Sequence, residues 1–580
     1  MASNSGMPPN GPAARGLRKG LTSYGDAEFS LYLRSAFIKA MGYSGDALNR
    51  PIVGITNTYS DYNPCHGNVP DLIEAVKRGV MLAGALPMVF PTMSLHESFS
   101  HPTAMYLRNL MAMETEEMIR AQPMDSVVLI GGCDKNLPAQ MMAAVSVNLP
   151  AIVLPTGPMV VGHHQGEVLG ACTDCRRIWA KFRAGSASRA EIEIVNSRLA
   201  PSVGTCMVMG TASTMACITE ALGLSLPLSA TVPATHAERR RIAEATGKRA
   251  AEMAISGHPL PSEIVTEAAI RNALVILEAI GGSTNGLIHL CAIAGRAGYP
   301  IDLDEFDRLS RDVPVLVDLK PSGEHYMEHF HHAGGVPRVM KELAHLLSLD
   351  HPTVAGGTVA DAIAAAEEVR GQRVIRTCAD PVKAHGALAV LRGNLAPRGA
   401  VIKQSAASER LMQHTGPAVV FNSVEEMMER IDAPELNVTP ESVLVLRNAG
   451  PKGAPGMPEA GYIPIPKKLA MQGVTDMVRI SDARMSGTAF GTVVLHIAPE
   501  SAAGGPLALV RSGDSIRLDV PNRRLDLLVP EEEYQLRATA IGAFRRLEWA
   551  SSRGYAKLFL SSVLQADEGC DFDFLLKPRS

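Results

Sequence analysis

Val127-Val128-Leu129-Ile130-Gly131-Gly132-Cys133-Asp134-Lys135-Asn136 is the run on which the reading of this chain turns. Four consecutive apolar residues predict a buried strand, and two glycines let the backbone turn tightly where it ends. A thiol, a carboxylate and an amine follow in successive positions. Open α/β sheets place their ligands beyond the carboxyl ends of parallel strands, so this corner is a candidate site on chemistry alone.

Outward from it, short apolar runs alternate with helix-like segments from about Leu21 to Val369. Pro51–Thr56, Val127–Ile130 and Ala151–Pro155 read as strands, Asp71–Ala83 and Ala268–Ala279 as helices. That alternation predicts an α/β fold with parallel sheets flanked by helices. After about Gly371 the pieces become short, β-rich and separated by glycine turns: Ala400–Lys403, Ala418–Phe421, Ser442–Leu446, Met477–Ile480, Thr492–His496, Ser515–Asp519 and Arg524–Leu528. They predict a β-barrel-like sheet with flanking helices, ending in a helical tail from Glu531. The expected division is a flexible tail over residues 1–20, an α/β domain over 21–375 with the cysteines, and a barrel-like domain over 376–580 with the Ser486 loop. No internal repeat is visible.

At 580 residues the chain exceeds one ordinary core, and 46% hydrophobic with 20% charged residues is the balance of a soluble globular protein. A net charge of −4 without a long basic block argues against nucleic acid or an anionic membrane surface as partner. Met1–Gly20 has no apolar core of a signal peptide, so a cytoplasmic protein is expected. Asn136–Gly166 lacks Asp, Glu, Lys and Arg, but Pro138, Pro150, Pro155 and Pro158 interrupt it, which fits a buried core rather than a membrane span.

Nine scattered cysteines argue against a disulfide scaffold. Cys65, in Asp61-Tyr-Asn-Pro-Cys65-His-Gly-Asn68, sits among turn residues rather than apolar ones. Cys133 follows the strand end, and Cys206 lies in a run of small residues where a helix could begin. Three such thiols, far apart in sequence, fit an iron–sulfur cluster with one iron open to a substrate oxygen. Cys217 and Cys291 read as core thiols. Cys172-Thr-Asp-Cys175 has the spacing of half a zinc site or a redox pair, but there is no second CxxC and no thioredoxin-like context. It reads as an incidental loop feature.

Glu97, Asp134 and Glu459 stand in three separate loop-like segments, a set of oxygen ligands that suits Mg²⁺. Taken singly, each is equally a cap or a surface ion pair. Ser486 lies in Ser481-Asp-Ala-Arg-Met-Ser486-Gly-Thr488, dense in small polar residues after a strand, as in an anion-binding or catalytic loop. A plain turn serine is the alternative.

Together these segments resemble the dihydroxy-acid dehydratase and 6-phosphogluconate dehydratase family over about residues 20 to 575. The resemblance rests on Gly131-Gly-Cys133-Asp134-Lys135-Asn136-Leu-Pro, Gly450-Pro-Lys-Gly-Ala-Pro-Gly-Met-Pro-Glu459, the Ser486 loop and Ala498-Pro-Glu-Ser-Ala-Ala-Gly-Gly-Pro-Leu. Glu97-Ser-Phe-Ser-His-Pro-Thr-Ala-Met and the Ser486 loop make the chain most similar to the sugar-acid branch, which includes arabinonate and xylonate dehydratases.

That resemblance implies a hydro-lyase that converts a 2,3-dihydroxy sugar acid, such as a pentonate, to the 2-keto-3-deoxy acid. Cys65, Cys133 and Cys206 would hold the cluster, 2Fe–2S in this branch with 4Fe–4S as the other option. Glu97, Asp134 and Glu459 would bind Mg²⁺ together with Lys135 as a carbamate. Ser486 would be the base, as an alkoxide, with Thr488 a polar contact for substrate. A homodimer or homotetramer is implied as well. The rivals are a branched-chain dihydroxy-acid dehydratase with the same chemistry and a non-catalytic iron–sulfur sensor, which would need neither the serine loop nor the carboxylates.

Overall fold

The computed structural model describes residues 14–21, 23–541 and 553–578. Its first sheet is wholly parallel, in the order β2-β1-β3-β4, from β1 (Ile52–Asn57), β2 (Leu86–Pro91), β3 (Ser126–Gly131) and β4 (Ala151–Pro155). β3 lies between β1 and β4, and Val127–Ile130 are fully buried. A central strand covered on both faces has no polar side, which explains the unbroken apolar run.

Helices cover the sheet closely. Val69–Leu82 packs on Ala237–Ser256 through glycines: a Cβ on Gly79 would stand 1.9 Å from the Glu244 carbonyl oxygen, and one on Gly247 2.2 Å from that of Val76. The charge-free stretch resolves into the helix Asn136–Val147 and strand β4, both largely buried. Helices Thr211–Ala221, Glu267–Ala279 and Thr284–Ala297 are buried on nearly every side. Among the described residues no helix is long and apolar enough to cross a membrane.

A small antiparallel pair follows, β5 (Gly162–His164) with β6 (Glu167–Leu169). The C-terminal half is a closed barrel of eight strands: β7 (Ala389–Gly393), β8 (Ala396–Ile402), β9 (Gln413–Phe421), β10 (Val443–Leu446), β11 (Arg479–Ser481), β12 (Val493–Ala498), β13 (Ser515–Asp519) and β14 (Arg524–Leu528). Its order is β10-β11-β12-β8-β7-β14-β13-β9; β9 to β12 run parallel, whereas β7–β8 and β13–β14 are hairpins. Alternation sorts the side chains. Val443 and Val445 of β10 point into the barrel core with Val420, Ile480 and Val494. Leu444 and Leu446 pack outward against Phe421, Met427 and Ile431.

The α/β architecture with a parallel sheet and a barrel-like second sheet is therefore as the sequence predicts. Of the segment read as a polar tail, residues 1–13 lie outside the described residues, whereas Leu17 is buried and the Gly16 N–H donates to Asp125 Oδ2 at 2.8 Å. The helical tail begins at Glu531 and is described to Ile541; residues 542–552 lie outside the described residues. The chain then returns to the first half, where Asp571 forms a buried ion pair with Arg296 (2.7 Å) and Arg108 donates to the carbonyls of Gly569 and Cys570.

Candidate active site

Most of the sequence-derived site residues leave the carboxyl ends of parallel strands. Cys65 follows β1 in the 3-10 turn Pro64–His66, Glu97 follows β2 in Glu97–Phe99, and Cys133, Asp134 and Lys135 link β3 to the helix starting at Asn136. Glu459 follows β10, and Ser486 and Thr488 follow β11. Both halves thus present their loops from the strand ends where α/β sheets bind ligands.

Two donor sets form. Cys65 and Cys133 touch, with ligand atoms of Cys65, Cys133 and His96 all within 4.8 Å of one another. Glu97, Asp134 and Glu459 bring carboxylate oxygens within the same 4.8 Å. Cys133 and Asp134 are adjacent, so the soft and hard sets share an edge. Cys206 carries its thiol to the same pocket, close enough to the Cys65 and Cys133 sulfurs to raise the cost of a second negative charge there.

The electrostatics suit cation binding. The hydrogen bond to Cys133 and burial push the Cys65 thiol well above its usual range, and contact with Cys172 together with burial does the same to Cys206. Packed thiols of this kind ionise together only when a cation compensates them. Burial would raise Glu97, but Arg484 and Lys135 beside it bring its pKa down to about 2. Burial wins at Glu459, which is raised despite Arg484. Glu97 Oε2 is buried without a hydrogen-bond partner, although Lys135 Nζ stands 3.4 Å away. Lys135 is fully buried and pairs with Asp134. An orphaned carboxylate oxygen among three convergent acids fits a hard divalent cation, and the thiol set fits iron.

Several participants escaped the sequence reading. Arg484 is fully buried, donating to Glu97 Oε1 at 3.0 Å and to Glu459 Oε1 at 2.5 Å. His66 orients the Cys133 turn: its Nε2 accepts the N–H groups of Gly132 (2.9 Å) and Cys133 (3.1 Å), while Nδ1 bonds the Thr58 carbonyl. Burial lowers this imidazole to about pKa 4, so it stays neutral with the proton on Nδ1. Cys172, read as incidental, has its sulfur 2.9 Å from Cys206 Sγ. Arg484 stood inside a quoted motif and His66 beside Cys65, so adjacency to a candidate ligand was the signal to follow.

Ser486 Oγ and Thr488 Oγ1 are 2.8 Å apart. Their loop is held on both sides: Asn285 Nδ2 donates to the Met485 carbonyl (3.0 Å) and Thr173 Oγ1 to that of Thr488 (2.9 Å). Gly487 is obligatory, since a Cβ there would stand 2.4 Å from Ser283 Oγ. Ser486 therefore lies between Arg484, bonded to the acids, and Thr488, bonded to the residue after Cys172.

Known proteins are similar in sequence along nearly the whole chain. The chain is 47% identical to an L-arabonate dehydratase of Azospirillum brasilense, covering 91% of this chain and 92% of that one. It is 45% identical to an L-arabinonate dehydratase of Rhizobium leguminosarum bv. trifolii (strain WSM2304), with 95% of each covered. A 6-deoxy-6-sulfo-D-gluconate dehydratase of Pseudomonas putida is 44% identical over 91% of each. The protein is thus an enzyme of the hydro-lyase class. It belongs to the dihydroxy-acid/6-phosphogluconate dehydratase family, whose N-terminal model matches residues 50–362 and whose C-terminal model matches residues 373–570.

Proposed function

We propose that this enzyme dehydrates a 2,3-dihydroxy sugar acid, such as a pentonate, to the 2-keto-3-deoxy acid. The observation that supports the reading is the thiol set and the carboxylate set meeting at Cys133-Asp134, with the loop that carries Ser486 and Thr488 tied to the carboxylates through Arg484 and to the residue after Cys172 through the Thr488 carbonyl. Cys65, Cys133 and Cys206 are assigned to an iron–sulfur cluster, 2Fe–2S by likeness to the sugar-acid branch. Glu97, Asp134, Glu459 and a carbamylated Lys135 are assigned to Mg²⁺; a bare ammonium repels a cation, whereas the carbamate is an oxygen donor.

When bound, Mg²⁺ supplies Lewis acidity at the substrate carboxylate and C2 hydroxyl, and the cluster supplies it at the departing C3 hydroxyl. The chain's own residues do the rest. Ser486 Oγ, as the alkoxide, removes the C2 proton, and the C2–C3 double bond forms as the C3–O bond breaks. The departing hydroxide takes the proton from the Ser486 hydroxyl to leave as water and restore the alkoxide, and the resulting enol relaxes to the ketone. A free serine is far too weak an acid for this, so its alkoxide depends on nearby positive charge. Thr488 Oγ1, 2.8 Å away, is placed to donate to that alkoxide. Arg484 donates to both Glu97 and Glu459, opposing the burial that disfavours their charge and linking the two halves.

The test is keto-acid formation by anaerobically purified enzyme with Mg²⁺ on L-arabinonate, D-xylonate, 6-deoxy-6-sulfo-D-gluconate and 2,3-dihydroxyisovalerate. Preference for a sugar acid is expected. Preference for 2,3-dihydroxyisovalerate would overturn the substrate class in favour of branched-chain biosynthesis. No keto acid from any of them would overturn the proposal as a whole.

A further inference from the structure

Four thiols, not three, meet in the cluster pocket, and they meet as two pairs. Cys65 contacts Cys133, and Cys172 Sγ lies 2.9 Å from Cys206 Sγ. The fourth thiol is held there deliberately by the local chain. Cys172 has φ 74° and ψ −60°, the centre of a γ-turn of the rarer hand, closed by the Thr173 N–H on the Ala171 carbonyl at 3.1 Å. A non-glycine residue persists in such a conformation only where its surroundings impose it. Here the Ala171 N–H donates to Met207 Sδ (2.9 Å), beside Cys206, and Thr173 Oγ1 donates to the Thr488 carbonyl (2.9 Å). The turn is fastened on one side to the cluster segment and on the other to the serine loop.

The CxxC does not act as a unit. Cys175 accepts the Cys172 N–H at 3.3 Å and packs with Leu169, Val195 and Leu199. Cys172 alone faces Cys206 and feels the charges of Glu459 and Asp134 across the pocket. A disulfide would need about 2.05 Å between the sulfurs. Two thiolates on one tetrahedral metal at about 2.3 Å stand roughly 3.7 Å apart. The observed spacing opens to the second arrangement by less than about an ångström.

We propose that Cys172 is a fourth thiolate ligand of the cluster, sharing with Cys206 the iron that otherwise stays open, and that the substrate hydroxyl displaces it. The inference rests on the iron–sulfur reading above. The exchange is a ligand substitution without change of oxidation state: Cys172 leaves with its electron pair, and an oxygen lone pair of the substrate replaces it. Cys172 would then shield the reactive iron from water until an acid arrives.

The experiment is Mössbauer spectroscopy of ⁵⁷Fe-reconstituted wild type and Cys172→Ala, prepared anaerobically, with iron content measured on both. All-thiolate ligation predicts two equivalent irons in the substrate-free wild type and two unlike irons in Cys172→Ala. Adding the acid that the keto-acid assay selects should shift the wild type to the Cys172→Ala pattern. Two unlike irons already in the substrate-free wild type, unchanged in Cys172→Ala, would overturn the inference while leaving the cluster intact. Should the variant fail to load iron, a wild-type spectrum unmoved by substrate would overturn it equally. A wild type that binds no iron would instead sink the cluster reading itself, and this inference with it.

Discussion

The Arg484 guanidinium donates to Glu97 Oε1 at 3.0 Å, joining residues 387 positions apart and the loops of the two sheets. Its other arm holds Glu459, and the side chain is fully buried. Removing one member of a buried charge cluster strands its partners, at a cost of about 3–5 kcal/mol. Arg484→Met is therefore expected to lower the melting temperature of the metal-free protein strongly. Mg²⁺ should recover part of the loss, so the Mg²⁺-induced rise in melting temperature should be larger in the variant than in the wild type. Equal rises would show that Arg484 and the cation do not compensate the same carboxylates.

Ser486 tests the base. Its hydroxyl bonds within its own loop, to Thr488 Oγ1 at 2.8 Å and as a long acceptor of the Thr488 N–H at 3.4 Å, so Ser486→Ala should fold and load iron as the wild type does. Turnover should fall by more than the roughly 10²–10⁴-fold usual for loss of a general base, because the variant loses the alkoxide itself. Comparable iron content with retained keto-acid production would move the base elsewhere.

Cys133 tests the cluster. It lies at the end of β3 with its N–H bonded to His66 Nε2 at 3.1 Å, so Cys133→Ser keeps the turn and changes the donor. Visible absorbance, iron content and dehydration should disappear together. Undiminished turnover by a colourless variant would end the iron–sulfur assignment.

How much of this was legible in the sequence depended on whether the signal was local. β3 announced itself because a strand buried on both faces must be apolar throughout. Strand β2, Leu86–Pro91, went unread: Pro87 and Pro91 argue against a strand, and they are tolerated because β2 is the edge of the sheet. β7, only Ala389–Gly393, is too short to show a period, and its place in the barrel is set by pairing with β8 and β14. Each carboxylate stood in a recognisable motif, but their approach within 4.8 Å is a property of the packed halves. The closeness of Cys172 to Cys206 was hidden for a different reason. A CxxC invites judgement as a pair, whereas the γ-turn sends its two thiols to different surroundings.

Glu278 gives the fold a pH dependence of known sign. It is fully buried in the helix Glu267–Ala279, with Oε2 accepting the Leu388 N–H at 2.9 Å and Oε1 without a partner. Burial pushes its pKa from the usual 4.5 to about 8, the nearby Asp307 adding to the effect and the backbone N–H groups opposing it. Below the usual value the carboxyl is protonated folded or unfolded and contributes nothing to the slope. Between the two values the unfolded chain has released the proton and the folded chain retains it. Stability therefore falls as pH rises through this window, by at most about 1.4 kcal/mol per pH unit from this one group, and levels off above the folded pKa. Glu278→Gln removes the proton while keeping a carbonyl oxygen for the Leu388 N–H. Measured by denaturant unfolding from about pH 5 to about pH 8, its stability relative to the wild type should climb steadily with pH. Parallel curves across that range would mean that Glu278 titrates alike in both states, and that its buried carboxylate is already compensated by Arg523, the cation that faces it from the barrel half.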